Sequence, residues 1–209
     1  MKYDAKEHWE NIWTTKKSNE VSWYQEEPKQ SIDLILSTNP SKDANIIDVG
    51  GGDSNLVDKL LELDFKNVTV LDISAKALQR AKKRLGQRAG VVKWIECDIR
   101  EFDSDDRYDI WHDRALLHFL TYEEDTLNYV ELIRKHVKDG GYLIISSFST
   151  KGPKMCSGLD TRQYSEESMK KLFSNGFEHI KGFEEEHVTP RGTNQIFIYN
   201  VFRKRIPNW

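Results

Sequence analysis

Three carboxylates and one run of glycines are the residues of this chain whose types and spacing can do chemistry. Asp48 ends the apolar run "NIIDV" just before Gly50, Gly51 and Gly52. Three successive glycines let a backbone turn sharply and approach a ligand where a Cβ would collide. Asp72 ends a second apolar run, "VLD", where a carboxylate can accept from both hydroxyls of a ribose. Asp98, in "CDI", ends a third and can accept from an exocyclic adenine amine. The dinucleotide fingerprint asks for glycine where Asn55 stands, and Asp48 would repel a pyrophosphate at short range. No Gly-Lys-Ser/Thr follows, so the turn is not a phosphate loop. An acid beside such a turn suits an ammonium group instead.

Alternating elements must position these residues. Trp9, Ile12 and Trp13 predict a helix over 4–15, and Pro28 opens a second at its first position, with Ile32, Ile35 and Leu36 inward. "NIIDV", "VTVLD", "VVKWI", "YDIWH" and "YLIISSF" read as five strands. Between them lie a helix through Leu56, Val57, Leu60 and Leu61, and one capped by Ser74 through Leu78, Ala81 and Leu85, ended near Gly86. A Thr121/Glu124 capping box opens another through Leu127, Val130, Ile133 and Val137, stopped by Gly140 and Gly141. A helix near 166–174 precedes a hairpin, 177–187 with 195–202, across "TPRGTN". This alternation predicts an α/β fold: a doubly wound, mostly parallel seven-stranded sheet with an antiparallel C-terminal hairpin and an N-terminal helical lid. A single domain is expected over 1–209, with a helical cap over 1–40 and a Rossmann-like core over 41–209. Ligands of such sheets bind at the carboxyl ends of the strands, where the strand order reverses, and the glycine turn belongs there.

Composition narrows the partners. With 31 basic and 34 acidic residues and a net charge of -3, the chain carries no electrostatic footprint for nucleic acid. Lys82-Lys83-Arg84 and Arg203-Lys204-Arg205 read as solvated faces. Two cysteines, no signal-peptide core and no apolar run of about 18 residues lead us to expect a cytoplasmic protein without a membrane partner, a monomer or weak dimer. No His/Cys/carboxylate cluster has zinc-ligand spacing, so no metal is expected. The three strand-end acids and the turn together describe a nucleoside with an ammonium-bearing tail and no phosphate. The expected cofactor is S-adenosylmethionine.

The series "DVGGGDS", "VLDIS", "CDI", "YDIWHDRALLHFL" and "VKDGGYLIISSF" resembles the class I S-adenosylmethionine-dependent methyltransferases over nearly the whole chain. The resemblance implies that Asp48, Gly50, Gly51 and Gly52 pass under the methionine part, that Asp72 with Ile73 holds the ribose, and that Asp98 and Ile99 flank the adenine. Ser54 stands where that family often has a third glycine and can cap the next helix. The ends, "HWENIWTTKKSNEVSWYQ", "STKGPKMCSGLDTRQYSEESMKKLF" and "FEEEHVTPRGTNQIF", are similar to the thiopurine-type thiol methyltransferases, as is "HDRALL". That likeness implies an N-terminal segment closing over the cofactor and brings in Trp13, Trp23 and Arg114. The arginine that group carries before its hairpin histidine is Glu186 here, with Arg191 nearby.

Methyl transfer from a sulfonium is an in-line displacement in which positioning supplies much of the catalysis. Candidate catalytic residues are Asp113, Arg114 and His118. His118 reads either as a base for an amine or hydroxyl or as a packed histidine. A thiol hardly needs a base, since its pKa of about 8.5 leaves a few per cent thiolate at neutral pH. His112 sits at the strand end beside Asp113, and His187 is an outside candidate. Cys156 can touch a soft substrate or be a loop residue without a role. The expected function is methylation of a small molecule with a soft nucleophile, a thiol or heavier chalcogen. Alternatives are a protein-lysine methyltransferase, a nucleotide-binding oxidoreductase and a non-catalytic cofactor-binding module.

Overall fold

The computed structural model describes residues 4–207. Residues 1–3 and 208–209, the outer ends of the expected cap and domain, lie outside the described residues. In chain order the elements are α1 (Ala5–Thr15), α2 (Lys29–Ser37), β1 (Asn45–Val49), α3 (Leu56–Glu62), β2 (Asn67–Asp72), α4 (Ala75–Leu85), β3 (Lys93–Glu96), β4 (Tyr108–Arg114), α5 (Glu123–His136), β5 (Val137–Phe148), β6 (Met155–Cys156), β7 (Leu159–Asp160), α6 (Glu166–Leu172), β8 (Phe177–Val188) and β9 (Asn194–Lys204).

Seven strands form one sheet in the order β3-β2-β1-β4-β5-β9-β8. The first five are mutually parallel, and β9 and β8 close the sheet antiparallel, as the alternation predicts. Period-two alternation puts each strand's apolar residues on both faces, the mark of a doubly covered sheet. Ile46, Val70, Ile110 and Ile144 pack with Ile35, Leu60 and Leu78 of α2, α3 and α4. Ile47, Leu71, Trp111 and Ile145 pack with Ile133 of α5 and Met169 of α6 on the other face. Strand order reverses between β2 and β4 on either side of β1. Val49 is level with Leu71 on one side and Asp113 on the other, so the ends of these strands share one rim.

Four local expectations are corrected. Pro28 is the cap of α2 rather than its first helical residue. The helix turns so that Ser31 meets His112, which buries Leu34 and leaves Leu36 40% exposed. Thr121 makes no capping box: α5 starts at Glu123 behind Tyr122, whose side chain does not cap it, and Leu127 faces outward. Val137 already pairs with Tyr108 in β5, so Gly140 and Gly141 fall inside that strand at an irregularity in its pairing with β4. Finally, β4 runs on to Arg114, and His118 sits in a single 3-10 turn, Leu117–Phe119, not on a helix.

Helix α1 lies outside the sheet. Ile12 and Trp13 pack with Val21 against Ala77 of α4. Glu10 Oε1 accepts from the backbone N–H of Ala75 at 2.7 Å, capping the first turn of α4 from outside its own segment. Ser18 donates to Asp53, and Asn55 Nδ2 donates to the carbonyls of Gln25 and Glu26, so the N-terminal segment is tied to the glycine turn from both sides.

Candidate active site

The glycine turn leaves β1 at the rim where the strand order reverses. Gly50 (φ +68°) and Gly52 (φ +45°) take backbone conformations that side chains rarely adopt. Gly51 is required for another reason, since a Cβ there would stand 2.5 Å from Oδ2 of Asp48. Gly50 N–H donates to Leu71 O at 2.8 Å, fixing the turn to the end of β2. Ser54 Oγ accepts from Leu56 N–H at 3.1 Å, but it stands one residue before the cap of α3, which is Asn55, so its expected capping role is reduced to a turn bond ahead of the helix.

Two adjoining cavities open over this turn. The larger is lined by Gly50, Leu71, Asp72, Ile73, Cys97, Asp98 and Ile99 along the strand ends. Its other wall brings together Trp9, Trp23, Arg114, His118, Phe119, Phe148, Cys156 and Phe197. The smaller holds Gly51, Asp48, Ser31, His112 and Tyr24. Trp13, Trp23, Gly50 and Arg114 belong to both. Gly52 lines neither cavity, and its part is the backbone shape of the turn.

Asp72 is 8% exposed, and its Oδ1 accepts from Ser74 N–H at 2.8 Å. Burial raises its pKa to about 7, with the charges of Asp48 and Glu10 adding to the rise and backbone N–H groups of Ser74 and Gly52 opposing it. Asp98 is tied to Arg100 through its side chain and backbone. Burial would raise its carboxyl, but those bonds and the guanidinium charge hold it below the usual range. Asp48, expected to face an ammonium, is already paired: Oδ1 lies 2.7 Å from His112 Nδ1, and His112 Nε2 lies 2.9 Å from Ser31 Oγ. His112 is thereby engaged behind the turn.

The three catalytic candidates part company. Asp113 is fully buried and lines neither cavity. It accepts from the N–H groups of Leu116 and Leu117 and from Tyr129 Oη, and burial, opposed by those bonds, raises it to about 6. Asp113 is therefore a clamp on the turn that carries His118, set back from both cavities. The reason is strand alternation: Asp113 and Arg114 are neighbours on β4 and point to opposite faces. Arg114 faces the cavity. Its Nε donates to Tyr199 Oη, its Nη1 to the carbonyl of Trp23, and the guanidinium lies 5.0 Å from the ring centre of Phe197. Its Nη2 is buried and has no hydrogen-bond partner among the described residues.

His118 is fully buried, stacked on Phe148 at 4.2 Å with Phe119 at its edge. The N–H of Phe148 donates to its Nδ1 at 3.3 Å. Burial, then the charge of Arg114, lowers its pKa to about 3. A neutral imidazole that accepts at Nδ1 carries its proton on Nε2, so its one basic lone pair is engaged by the Phe148 N–H. His187 Nε2 donates to the carbonyl of Ser22 at 2.7 Å instead of lining a cavity. Glu186, its neighbour on β8, is exposed and points away. Cys156 lines the larger cavity next to Ser22, with its thiol pushed up by burial.

Several lining residues gave no sequence signal. Phe148 and Phe197 read as ordinary core positions, and only the pairing of β5 with β9 brings them opposite each other. Leu71 and Cys97 lie next to recognised acids and were within reach of the same reasoning. Glu10 was not, because its partner lies far along the chain. Among the described residues, no group of three or more His, Cys, Asp or Glu is placed to hold a metal ion, and no helix is long and apolar enough to cross a membrane.

Comparison with known proteins agrees with this geometry. The chain is 24% identical over 165 residues to N-terminal Xaa-Pro-Lys N-methyltransferase 1-A of Xenopus laevis, covering 78% of this chain and 73% of that one. Its fold matches a solved structure from the conversion of a disulfide bond into a thioacetal group during echinomycin biosynthesis, with a TM-score of 0.77, 18% identity and coverage of 97% and 92%. It also matches the N-methyltransferase NodS of Bradyrhizobium japonicum WM9 in complex with S-adenosyl-L-homocysteine, with a TM-score of 0.73, 16% identity and coverage of 96% and 99%. Residues 40–197 match the family described as "Methyltransferase domain". Most of the sequence lies within that match, and the chain belongs to the methyltransferase domain family.

Proposed function

We propose that this S-adenosylmethionine-dependent methyltransferase acts on a small molecule with a soft nucleophile, a thiol or heavier chalcogen. The residues present fit the cofactor. The turn presents bare backbone at Gly50, where a Cβ would stand 3.1 Å from Leu116. Asp72 offers a carboxylate to a ribose diol, Asp98 and Ile99 form the wall for the adenine, and Ile73 lies beside them. When bound, S-adenosylmethionine supplies a methyl group on a positively charged sulfur. Trp9, Trp13 and Trp23 place aromatic faces where such a cation would be favoured by about 1 kcal/mol each once desolvated. The N-terminal segment serves as the lid, held by Glu10, Ser18 and Asn55.

The observation that carries the acceptor class is the pair Arg114 and His118. Among the described residues, the one histidine lining the larger cavity has its Nδ1 lone pair engaged, and no carboxylate lines that cavity beside Arg114; Glu185, outside it, bonds Tyr199 and faces the Arg114 charge from behind. The acids of that cavity, Asp72, Asp98 and Asp125, lie toward the strand ends and α5. An amine held as ammonium at neutral pH must lose a proton before it can attack, and it gains nothing from this wall. A thiol needs no base: a guanidinium with a free Nη2 attracts its thiolate and lowers its pKa. The peptide relative's name points to the second reading, an amine acceptor.

The test measures methyl transfer to small thiols and selenide beside a proline-lysine peptide and lysate proteins. Thiol turnover should fall at least tenfold in Arg114→Ala, and its pH–rate profile should shift up toward a free thiol's pKa of about 8.5. Loss in His118→Ala should stay well short of the roughly hundredfold of a missing general base. Methylation of the peptide but of no thiol overturns the reading.

A further inference from the structure

His118 stands where a base would be sought, and its surroundings hold it in the opposite role. Its ring is pinned by Phe148, which stacks on it at 4.2 Å and donates its N–H to Nδ1. That bond fixes the tautomer, because a neutral ring that accepts at Nδ1 must carry its proton on Nε2. Nε2 is buried and has no hydrogen-bond partner among the described residues, while the side chain lines the larger cavity. A buried donor left unpaired is costly, and one kept at a ligand cavity points to a partner on the ligand.

Arg114 supplies the second unpaired donor of the same wall. Its guanidinium lies 5.0 Å from the centre of the Phe197 ring, and the His118 ring lies 6.5 Å from that centre on a tilted approach. Two donors of different character, one charged and one neutral, thus flank one phenyl ring. Phe119, Phe148, Trp9 and Trp23 complete the apolar surface. A thiol alone gives such a wall one partner, at the guanidinium. The second donor needs an acceptor atom beside the nucleophile, and an oxygen is the commonest one.

Resting on the acceptor reading above, we propose that His118 is a positioning residue for the acceptor: its Nε2–H donates to a carboxylate or carbonyl oxygen that the acceptor carries beside its nucleophilic atom. The acceptor class is then a soft nucleophile with a neighbouring oxygen, seated on an aromatic wall. Burial keeps the ring neutral across the physiological range, so the donor is present at every working pH.

The test uses binding and no turnover, so it stands even if no thiol is methylated. Benzoate, benzamide and toluene are titrated into the protein alone, read by tryptophan fluorescence and by the Nε2–H proton resonance of His118. Benzoate and benzamide should bind at least tenfold more tightly than toluene, and the His118 proton should move downfield. His118→Phe, which keeps a flat ring but removes the donor, should cut that preference about tenfold, and His118→Gln should restore part of it. Tighter binding of both oxygen ligands assigns a carbonyl-type partner, whereas benzoate alone assigns a carboxylate. No preference over toluene, a preference that survives His118→Phe, or an unmoved His118 proton at saturation overturns the proposal. Should His118→Phe fail to fold, the proton resonance in the unaltered protein decides.

Discussion

Acidification should weaken cofactor binding chiefly through Asp72. In the free protein this carboxyl ionises at about 7, chiefly because it is buried. A ribose diol that donates to both oxygens requires the ionised form, so binding must displace the proton wherever it is present. Below about pH 7 the affinity then falls by up to tenfold per unit, and between pH 8 and pH 5 the Kd should rise about a hundredfold, or about 2.7 kcal/mol at 1.36 kcal/mol per unit. Calorimetry in buffers of different ionisation heat checks this directly, with about 0.9 proton released per cofactor bound at pH 6. Asp72→Asn should weaken binding at pH 8 by tenfold or more and flatten the profile. Stability runs the other way. A carboxyl whose folded pKa is raised contributes stability that is full below its unfolded value and lost as pH rises through about 7. Free Asp72→Asn should therefore melt higher than the unaltered protein at pH 8, by a margin that shrinks as pH falls toward about 4. A Kd that stays flat from pH 8 to pH 5 in a folded protein refutes the reasoning, and so does a slope that persists in Asp72→Asn.

Other perturbations probe the frame around the site. Asp113→Ala strips the partner from the Leu116 and Leu117 N–H groups and from Tyr129 Oη, so it should cost on the order of 3 kcal/mol in denaturant unfolding and lower turnover, with Asp113→Asn milder. Equal stability would show that the clamp is dispensable. Gly51→Ala drives a Cβ against Asp48 and should cost about 1–3 kcal/mol while weakening cofactor binding, and unchanged calorimetry would remove the close-approach explanation. Glu10→Ala removes the acceptor for Ala75 N–H beside the Ser74 cap of α4 and should cost about 1 kcal/mol, raise hydrogen exchange over residues 5–15 and slow turnover. Unaltered exchange and turnover would leave α1 without a lid role.

How much of this was legible beforehand depended on the range of the physics involved. Strand and helix types follow from periodicity over a handful of residues, so "NIIDV", "VTVLD" and the hairpin about "TPRGTN" declared themselves. That the sheet is parallel and doubly covered follows from the alternation of strands with helices; its order, read only from the structure, brings Asp48, Asp72 and Asp98 to one rim. Boundaries were weaker where a β-branched residue stood at a junction. Val137 fits a helix pattern, yet pairing with Tyr108 takes it into β5.

The fold class, the glycine turn and the three acids near the strand ends could be read along the chain, because each rests on local pattern and on backbone geometry. Which way the neighbouring polar side chains point, and what they meet, follows from packing between distant segments. Alternation along β4 sends Asp113 back to Tyr129 and Arg114 forward to Trp23 and Tyr199. Alternation along β8 turns Glu186 outward and His187 in toward Ser22. His118 reads from sequence as base or as core, and its tautomer was settled by a backbone N–H 30 residues away, at Phe148. A hydrogen bond depends on position to within tenths of an ångström between groups distant in the chain, and no periodicity in a linear sequence encodes that distance.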